Sequence, residues 1–248
     1  MLETVKPAVA PALDHIIERP RLIERLEENG GRRVTVLAAP AGYGKTTLAR
    51  QWSERQSGSV AWYRATRASG DVALLAVQLD ELLASVAREV PRAPLQVPAI
   101  AAVNPNAKPL AQAIVRTFEP LGPEVLLVVD EWEAAGTDAA EELMSILVGG
   151  LGIRFLITSR TRPAWLTPRM EVYGEGLEIS MTELAMTDAE AAEVLAGSEA
   201  AAGRARLMRT AGGWPAVLGL AAMSGDVDLT SSRLFSHTLY EFLAGELL

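Results

Sequence analysis

A chain of 248 residues with 49% hydrophobic and 22% charged side chains has the composition of a folded globular protein, long enough for one large domain or a core with a small satellite. Its formal net charge of −8 excludes a chain-wide attraction for nucleic acid. The absence of cysteine excludes disulfides, thiol catalysis and cysteine-type zinc or iron–sulfur sites.

The Pro- and Ala-rich stretch 1–18 has little periodicity and reads as an extended arm. Met1 to Ala12 has no apolar core of the signal-peptide kind, and no apolar run approaches the roughly 20 residues that span a bilayer. A cytoplasmic protein with no membrane partner is the expectation. A helix is predicted from Pro20, its apolar stripe Leu22, Ile23 and Leu26 ending at Asn29-Gly30-Gly31. Val34–Ala38 reads as a buried strand that enters the glycine-rich segment Pro40–Gly44, and a helix follows from Lys45 to about Gln56.

A short strand is expected at Val60–Tyr63. Asp71 is placed to cap a helix carrying Leu75, Leu79, Leu82 and Val86. Residues 91–106, with four prolines, read as a loop, and another helix carries Leu110, Ile114 and Phe118. Val125–Asp130 is a continuous apolar run of the sort that parallel strands covered on both faces require. A helix over 138–148, a strand from Ile153 to Thr158 and a last strand near Leu177–Met181 complete the alternation. Thr187-Asp-Ala-Glu190 is a capping-box signature, after which the chain reads as helical to Leu248. The expected fold is α/β with a parallel doubly wound sheet, followed by a small all-helical domain. The domain boundaries are an arm over 1–18, a core over 19–185, a helical lid over 186–225, and a linker with the start of a further domain over 226–248.

Ala39-Pro-Ala-Gly-Tyr-Gly-Lys-Thr46, followed by Thr47, matches the Walker A pattern except that Ala39 stands for its first glycine. Such a segment, between a buried strand and a helix, marks an α/β P-loop NTPase: it turns the backbone N–H groups of Ala41–Gly44 and the positive end of the helix toward phosphate oxygens. Lys45 would neutralise the β- and γ-phosphates of ATP, and Thr46 would ligate Mg²⁺. The nucleotide-binding set is therefore Pro40, Ala41, Gly42, Tyr43, Gly44, Lys45, Thr46 and Thr47. Asp130, ending a buried strand, is the second expected Mg²⁺ holder, and Glu131 is placed to polarise an attacking water. Ile153–Arg160 is a strand ending in a polar pair and an arginine; Arg160 could reach the γ-phosphate and sense whether it is present. His15 and His237 have no metal or triad pattern around them. Trp52 and Trp62 read as core, and Arg204, Arg206 and Arg209 as a solvated helix face.

Taken in order, several segments resemble one family. They are Arg19-Pro-Arg21-Leu-Ile-Glu-Arg-Leu26, Leu37–Leu48 with Gln51-Trp52, Leu127–Asp130, Thr158-Ser-Arg160 and Gly212-Gly-Trp-Pro215. The chain is similar to the nucleotide-binding module of the MalT-type, large ATP-dependent LuxR-family regulators of the STAND class of signalling ATPases. That resemblance implies a five-stranded sheet followed by a helical domain, with ADP or ATP between them. It implies that Arg19 and Arg21 approach the adenine or ribose and that Pro215, in the family's G-x-P motif, packs on the base. It also implies self-association in the ATP state, with inducer and DNA bound only through domains outside this chain. Leu239–Leu248 resembles the opening of the family's winged-helix domain, so the chain is expected to be a fragment or a shortened relative.

Three functions remain open at this point. One is a signalling switch with slow Mg²⁺-dependent ATP hydrolysis. A second is a stand-alone AAA-like ATPase or small-molecule kinase, for which Arg160, Arg162 and Arg169 could serve a lid. A third is an ATP-binding domain kept only for protein–protein interaction.

Overall fold

The computed structural model describes residues 16–87 and 106–224. Residues 1–15 of the expected arm, with His15, nearly all of the proline-rich loop, and residues 225–248, with His237, lie outside the described residues.

The described residues form two compact units. The larger, comprising 24–38, 49–87 and 106–179, carries the sheet. Its strands are β1 (Val34–Ala38), β2 (Ser59–Arg64), β3 (Val125–Asp130), β4 (Arg154–Ser159) and β5 (Gly176–Ser180), whose last residue already belongs to the other unit. All five run parallel in the order β2-β3-β4-β1-β5. Every residue of β1 and β3 is buried, which is why both strands read as unbroken apolar runs rather than as alternation. Because the strands are parallel, Ala38, Asp130 and Ser159 all end at one edge of the sheet; Ala38 lies opposite Ser159 in register. That edge is where open α/β sheets place their ligands.

The helices form where the side chains dictate. Helix α1 (Pro20–Glu28) opens on proline at its first position, where the missing N–H costs nothing, and buries Leu22, Ile23 and Leu26. Helix α2 (Lys45–Ser53) stops one turn short of the expected Gln56. Asp71 caps α3 (Val72–Val86) by accepting from the amides of Ala73 and Leu74. Asn106 caps α4 (Ala107–Phe118) and Thr137 caps α5 (Asp138–Gly150). One core joins the faces of α3, α4 and α5 to the strands, with Leu79, Ile114, Phe118, Leu127, Trp132 and Phe155 almost fully buried. Trp52 is in the core as expected, but Trp62 is only half-buried: it lies on β2, the edge strand of the sheet, and Arg50 covers its ring with the guanidinium 6.0 Å from the centroid. A one-turn helix, α6 (Pro168–Val172), leads to β5.

The second unit comprises 16–23, 39–48 and 180–224. It holds α7 (Met181–Leu184), α8 (Asp188–Val194), α9 (Arg204–Ala211) and α10 (Pro215–Ser224). Thr187 and Glu190 close the capping box read from the sequence. Ala191, Leu195, Leu207, Leu218 and Ala221 make a small core of their own, against which Ile17 packs. Arg206 and Arg209 are exposed, as a solvated face requires, while Arg204 pairs with Asp188 at 3.2 Å. The glycine-rich segment after β1 falls in this unit together with the helices.

Candidate functional site

The loop is shaped by its glycines. Gly42 and Gly44 have φ of 77° and 75°, a region where any side chain is strained, so the pattern needs glycine at both positions. Ala39, in place of the usual first glycine, is buried, and its small side chain is accommodated there. Lys45 opens α2 and its ammonium donates to the carbonyls of Ala39 at 2.6 Å and Pro40 at 2.9 Å, so the charge lies over its own loop. Thr46 and Thr47 fall in the first turn of α2, half-buried. Left-handed glycines beside a helix N-terminus form an anion-binding concavity.

The same unit brings Gly212–Pro215 onto this loop. Gly212, φ 58°, ends α9 in the left-handed cap. Gly213, φ 76°, accepts from the Met186 amide at 2.7 Å, and a Cβ there would lie 2.5 Å from the Met186 carbonyl. The Trp214 indole N–H donates to the Ala41 carbonyl at 3.1 Å, and its ring stacks on Tyr43 with centroids 6.2 Å apart. Burial pushes the Tyr43 phenol above its ordinary pKa. The Ala216 amide, in the first turn of α10, donates to the Gly42 carbonyl at 3.0 Å. Thus each residue of Gly213-Trp-Pro215 has a local role: a backbone fit, a side-chain clamp on the loop, and a helix start.

Arg19 and Arg21 converge on Glu190. Arg19 donates to both of its carboxylate oxygens at 3.1 Å and to the carbonyls of Leu184 and Ala185. Arg21 donates to the same carboxylate at 3.1 and 3.0 Å and to the carbonyls of Glu183 and Ala185. Burial alone would raise the Glu190 pKa, but hydrogen bonds from Arg19 and Arg21 and from the Thr187 amide overcome it and hold the carboxyl at about 2. Both guanidinium groups are therefore engaged with the α7–α8 connection.

In the larger unit, Asp130 is 2% exposed at the end of β3. The Thr158 hydroxyl donates to its Oδ1 at 2.6 Å and accepts from the Glu131 amide at 2.9 Å. Glu131 has φ 59°; among the described residues it is the one non-glycine with positive φ, a strain that clusters at functional positions. Arg64, opposite Asp130 in the β2–β3 register, grips the Glu131 carboxylate with two hydrogen bonds of 2.9 and 2.8 Å. Arg160 is held by Glu133, which accepts from its amide at 3.1 Å and from Nε at 3.0 Å. Arg162 is tied to Glu171, Glu178 and the Leu166 carbonyl, and Arg169 lies 5.3 Å over Tyr173. Sequence reasoning missed Arg64, Glu133 and Glu190. Each is an ordinary surface-type charge in the sequence, and only the capping box marked Glu190.

Residues 27–160 match the family model of an AAA domain, more than half of the chain. The chain belongs to the AAA domain family. It is a P-loop ATPase domain, which implies nucleotide binding with Mg²⁺ and ATP hydrolysis. No helix among the described residues is long and apolar enough to cross a membrane.

This AAA domain is 26% identical over 254 residues to the serine/threonine-protein kinase PknK of Mycobacterium tuberculosis, covering 94% of this chain and 22% of that protein. It is 28% identical over 222 residues to the HTH-type transcriptional regulator MalT of Yersinia pestis, covering 86% of this chain and 24% of that protein. The chain thus spans less than a quarter of the length of these curated relatives. A STAND protein with a tetratricopeptide-repeat sensor from Pyrococcus horikoshii shares its fold, with TM-score 0.60 at 19% identity over 94% of this chain and 34% of that one. A Walker-type ATPase of Pyrococcus abyssi does so with TM-score 0.51 at 15% identity, over 94% of this chain and 75% of that one.

Proposed function

We propose that this AAA domain is an ATP/ADP-dependent signalling switch with slow Mg²⁺-dependent hydrolysis, the regulatory ATPase module of a MalT-like, LuxR-family regulator. The observation that carries the reading is the seat of Trp214 and Ala216 on the carbonyls of Ala41 and Gly42. A metabolic ATPase has no need to bond its helical segment to the phosphate loop. A switch does, because its output depends on the helices responding to what the loop holds. The distant similarity to MalT and PknK supports the same reading.

In this proposal the boundaries are an arm over 1–18, a core over 19–185, a helical lid over 186–225, and a linker with the start of a winged-helix domain over 226–248. Pro40–Thr47 bind the phosphates, Lys45 neutralises them, and Thr46 and Asp130 hold Mg²⁺. Glu131 orients the attacking water, Arg160 exchanges Glu133 for the γ-phosphate, and Pro215 packs on the base. Arg19 and Arg21 act near the adenine by fixing the α7–α8 connection through Glu190. ATP favours self-association, while inducer and DNA act through other domains, in the cytoplasm. A kinase lid built on Arg162 and Arg169 draws no support, because Arg162 is committed to Glu171 and Glu178 and Arg169 to Tyr173.

Turnover decides the matter. The rate without inducer is expected well below the median enzyme value of about 10 s⁻¹, and mass spectrometry of the protein as isolated is expected to find bound ADP. A rate at or above that value would sink the switch.

A further inference from the structure

A trans peptide unit is planar, with its carbonyl and its N–H pointing in opposite directions. Pinning the oxygen of such a unit therefore aims its hydrogen. The Ala41 carbonyl shares a peptide unit with the Gly42 amide, and the Gly42 carbonyl shares one with the Tyr43 amide. Both oxygens are pinned from outside the loop, one by the Trp214 indole N–H at 3.1 Å and the other by the Ala216 amide at 3.0 Å.

The pins are themselves firmly based. Gly213 fits against the Met186 backbone with no room for a side chain and accepts its amide at 2.7 Å, which fixes the point from which the Trp214 side chain leaves. The indole is steadied by stacking on Tyr43, at an interplanar angle of 17°. Gly42, the residue between the two pinned units, has φ 77°, a conformation that a flexible glycine loses on its own unless something holds it.

We propose that Trp214 is a positioning residue for phosphate binding. Together with the Ala216 amide it fixes the two peptide units whose opposite ends, the N–H groups of Gly42 and Tyr43, face a nucleoside polyphosphate. The tryptophan of Gly213-Trp-Pro215 thus acts through the loop and not on the base. The proposal rests on the reading that polyphosphate binds at Ala39–Thr47. Preorganised donors lose less freedom on binding, so removal of the indole N–H reduces affinity for the phosphates themselves.

The test is Trp214→Phe, which keeps a stacking ring and removes the donor, titrated with Mg²⁺-ADP and with Mg²⁺-pyrophosphate. Both probes are expected to bind about five-fold more weakly, the effect of one hydrogen bond, and by the same factor as each other. If ADP binding weakens while pyrophosphate binding is unchanged, Trp214 acts on the base side and the proposal is overturned; unchanged binding of both overturns it too. Failure of the unsubstituted protein to bind either probe would remove the loop reading itself, which is a different failure from a normal loop insensitive to Trp214.

Should the variant not fold, the unsubstituted protein answers by NMR. On adding Mg²⁺-pyrophosphate, the Gly42 and Tyr43 amide resonances should move while the Trp214 indole N–H stays protected from exchange. Loss of that protection on binding would overturn the proposal.

Discussion

Lys45 carries the largest single charge that the loop can offer to a phosphate, and its ammonium now bonds to the carbonyls of Ala39 and Pro40. A polyphosphate competes with those carbonyls for it through charge-assisted hydrogen bonds. Lys45→Ala is expected to weaken Mg²⁺-ADP binding roughly 10- to 100-fold, the effect of a charge-assisted hydrogen bond, as read by calorimetric titration. Because Lys45 is only half-buried, its unfolding temperature without ligand should hardly change. Glu131 presents the opposite case. Its carboxylate is already held by Arg64 in a two-pronged grip.

At the scale of elements, the α7–α8 connection is held to the start of α1 by one carboxylate and two guanidinium groups. The side chains of Arg19 and Glu190 are 8% and 9% exposed, so removing the carboxylate charge leaves two cations poorly compensated. Glu190→Gln is expected to cost about 3 kcal/mol at neutral pH, the scale of breaking a buried ion pair from one side. The pH dependence follows from the depressed pKa of about 2. A carboxyl that is more acidic folded than unfolded stabilises the fold above the unfolded value, near 4.5, and that stabilisation is lost as pH falls through the folded value. Denaturant unfolding of the parent and Glu190→Gln proteins should therefore differ by a constant amount above pH 5 and converge between about pH 4.5 and 2. A difference that persists unchanged at pH 2 would show that the ion pair is not its source.

For the whole molecule, the membership of Ala39–Leu48 in the same compact unit as the helices of 180–224 has a thermodynamic consequence. A ligand that binds the loop stabilises the helices with it. Mg²⁺-ADP at about 100 times its Kd should raise the stability of the loop-and-helix unit by about 2.7 kcal/mol, measured as slowed amide exchange in α9 and α10. Exchange in those helices that ignores the nucleotide would mean that the loop and the helices do not respond together.

The parts of the protein that the sequence alone determined are those in which cause and effect lie close together along the chain. The phosphate loop was legible because the strand, the glycines with positive φ, and the helix that opens on Lys45 are consecutive. The parallel sheet was legible because strands covered on both faces must be apolar throughout, as Val125–Val129 are. The caps at Asp71 and Thr187 act within three or four residues. Only the tertiary structure decided which distant group each charge meets. Arg64 and Glu131 are 67 residues apart, Arg160 and Glu133 27, Arg19 and Glu190 171, and Trp214 and Ala41 173. An arginine or an indole declares what kind of partner it can take, but the partner is chosen by which backbones the packed core brings within 3 Å. That is why the sequence could assign Arg19, Arg160 and Gly213-Trp-Pro215 to a nucleotide site by resemblance. The fold alone supplied the carboxylates that hold the arginines and the carbonyl that receives the tryptophan.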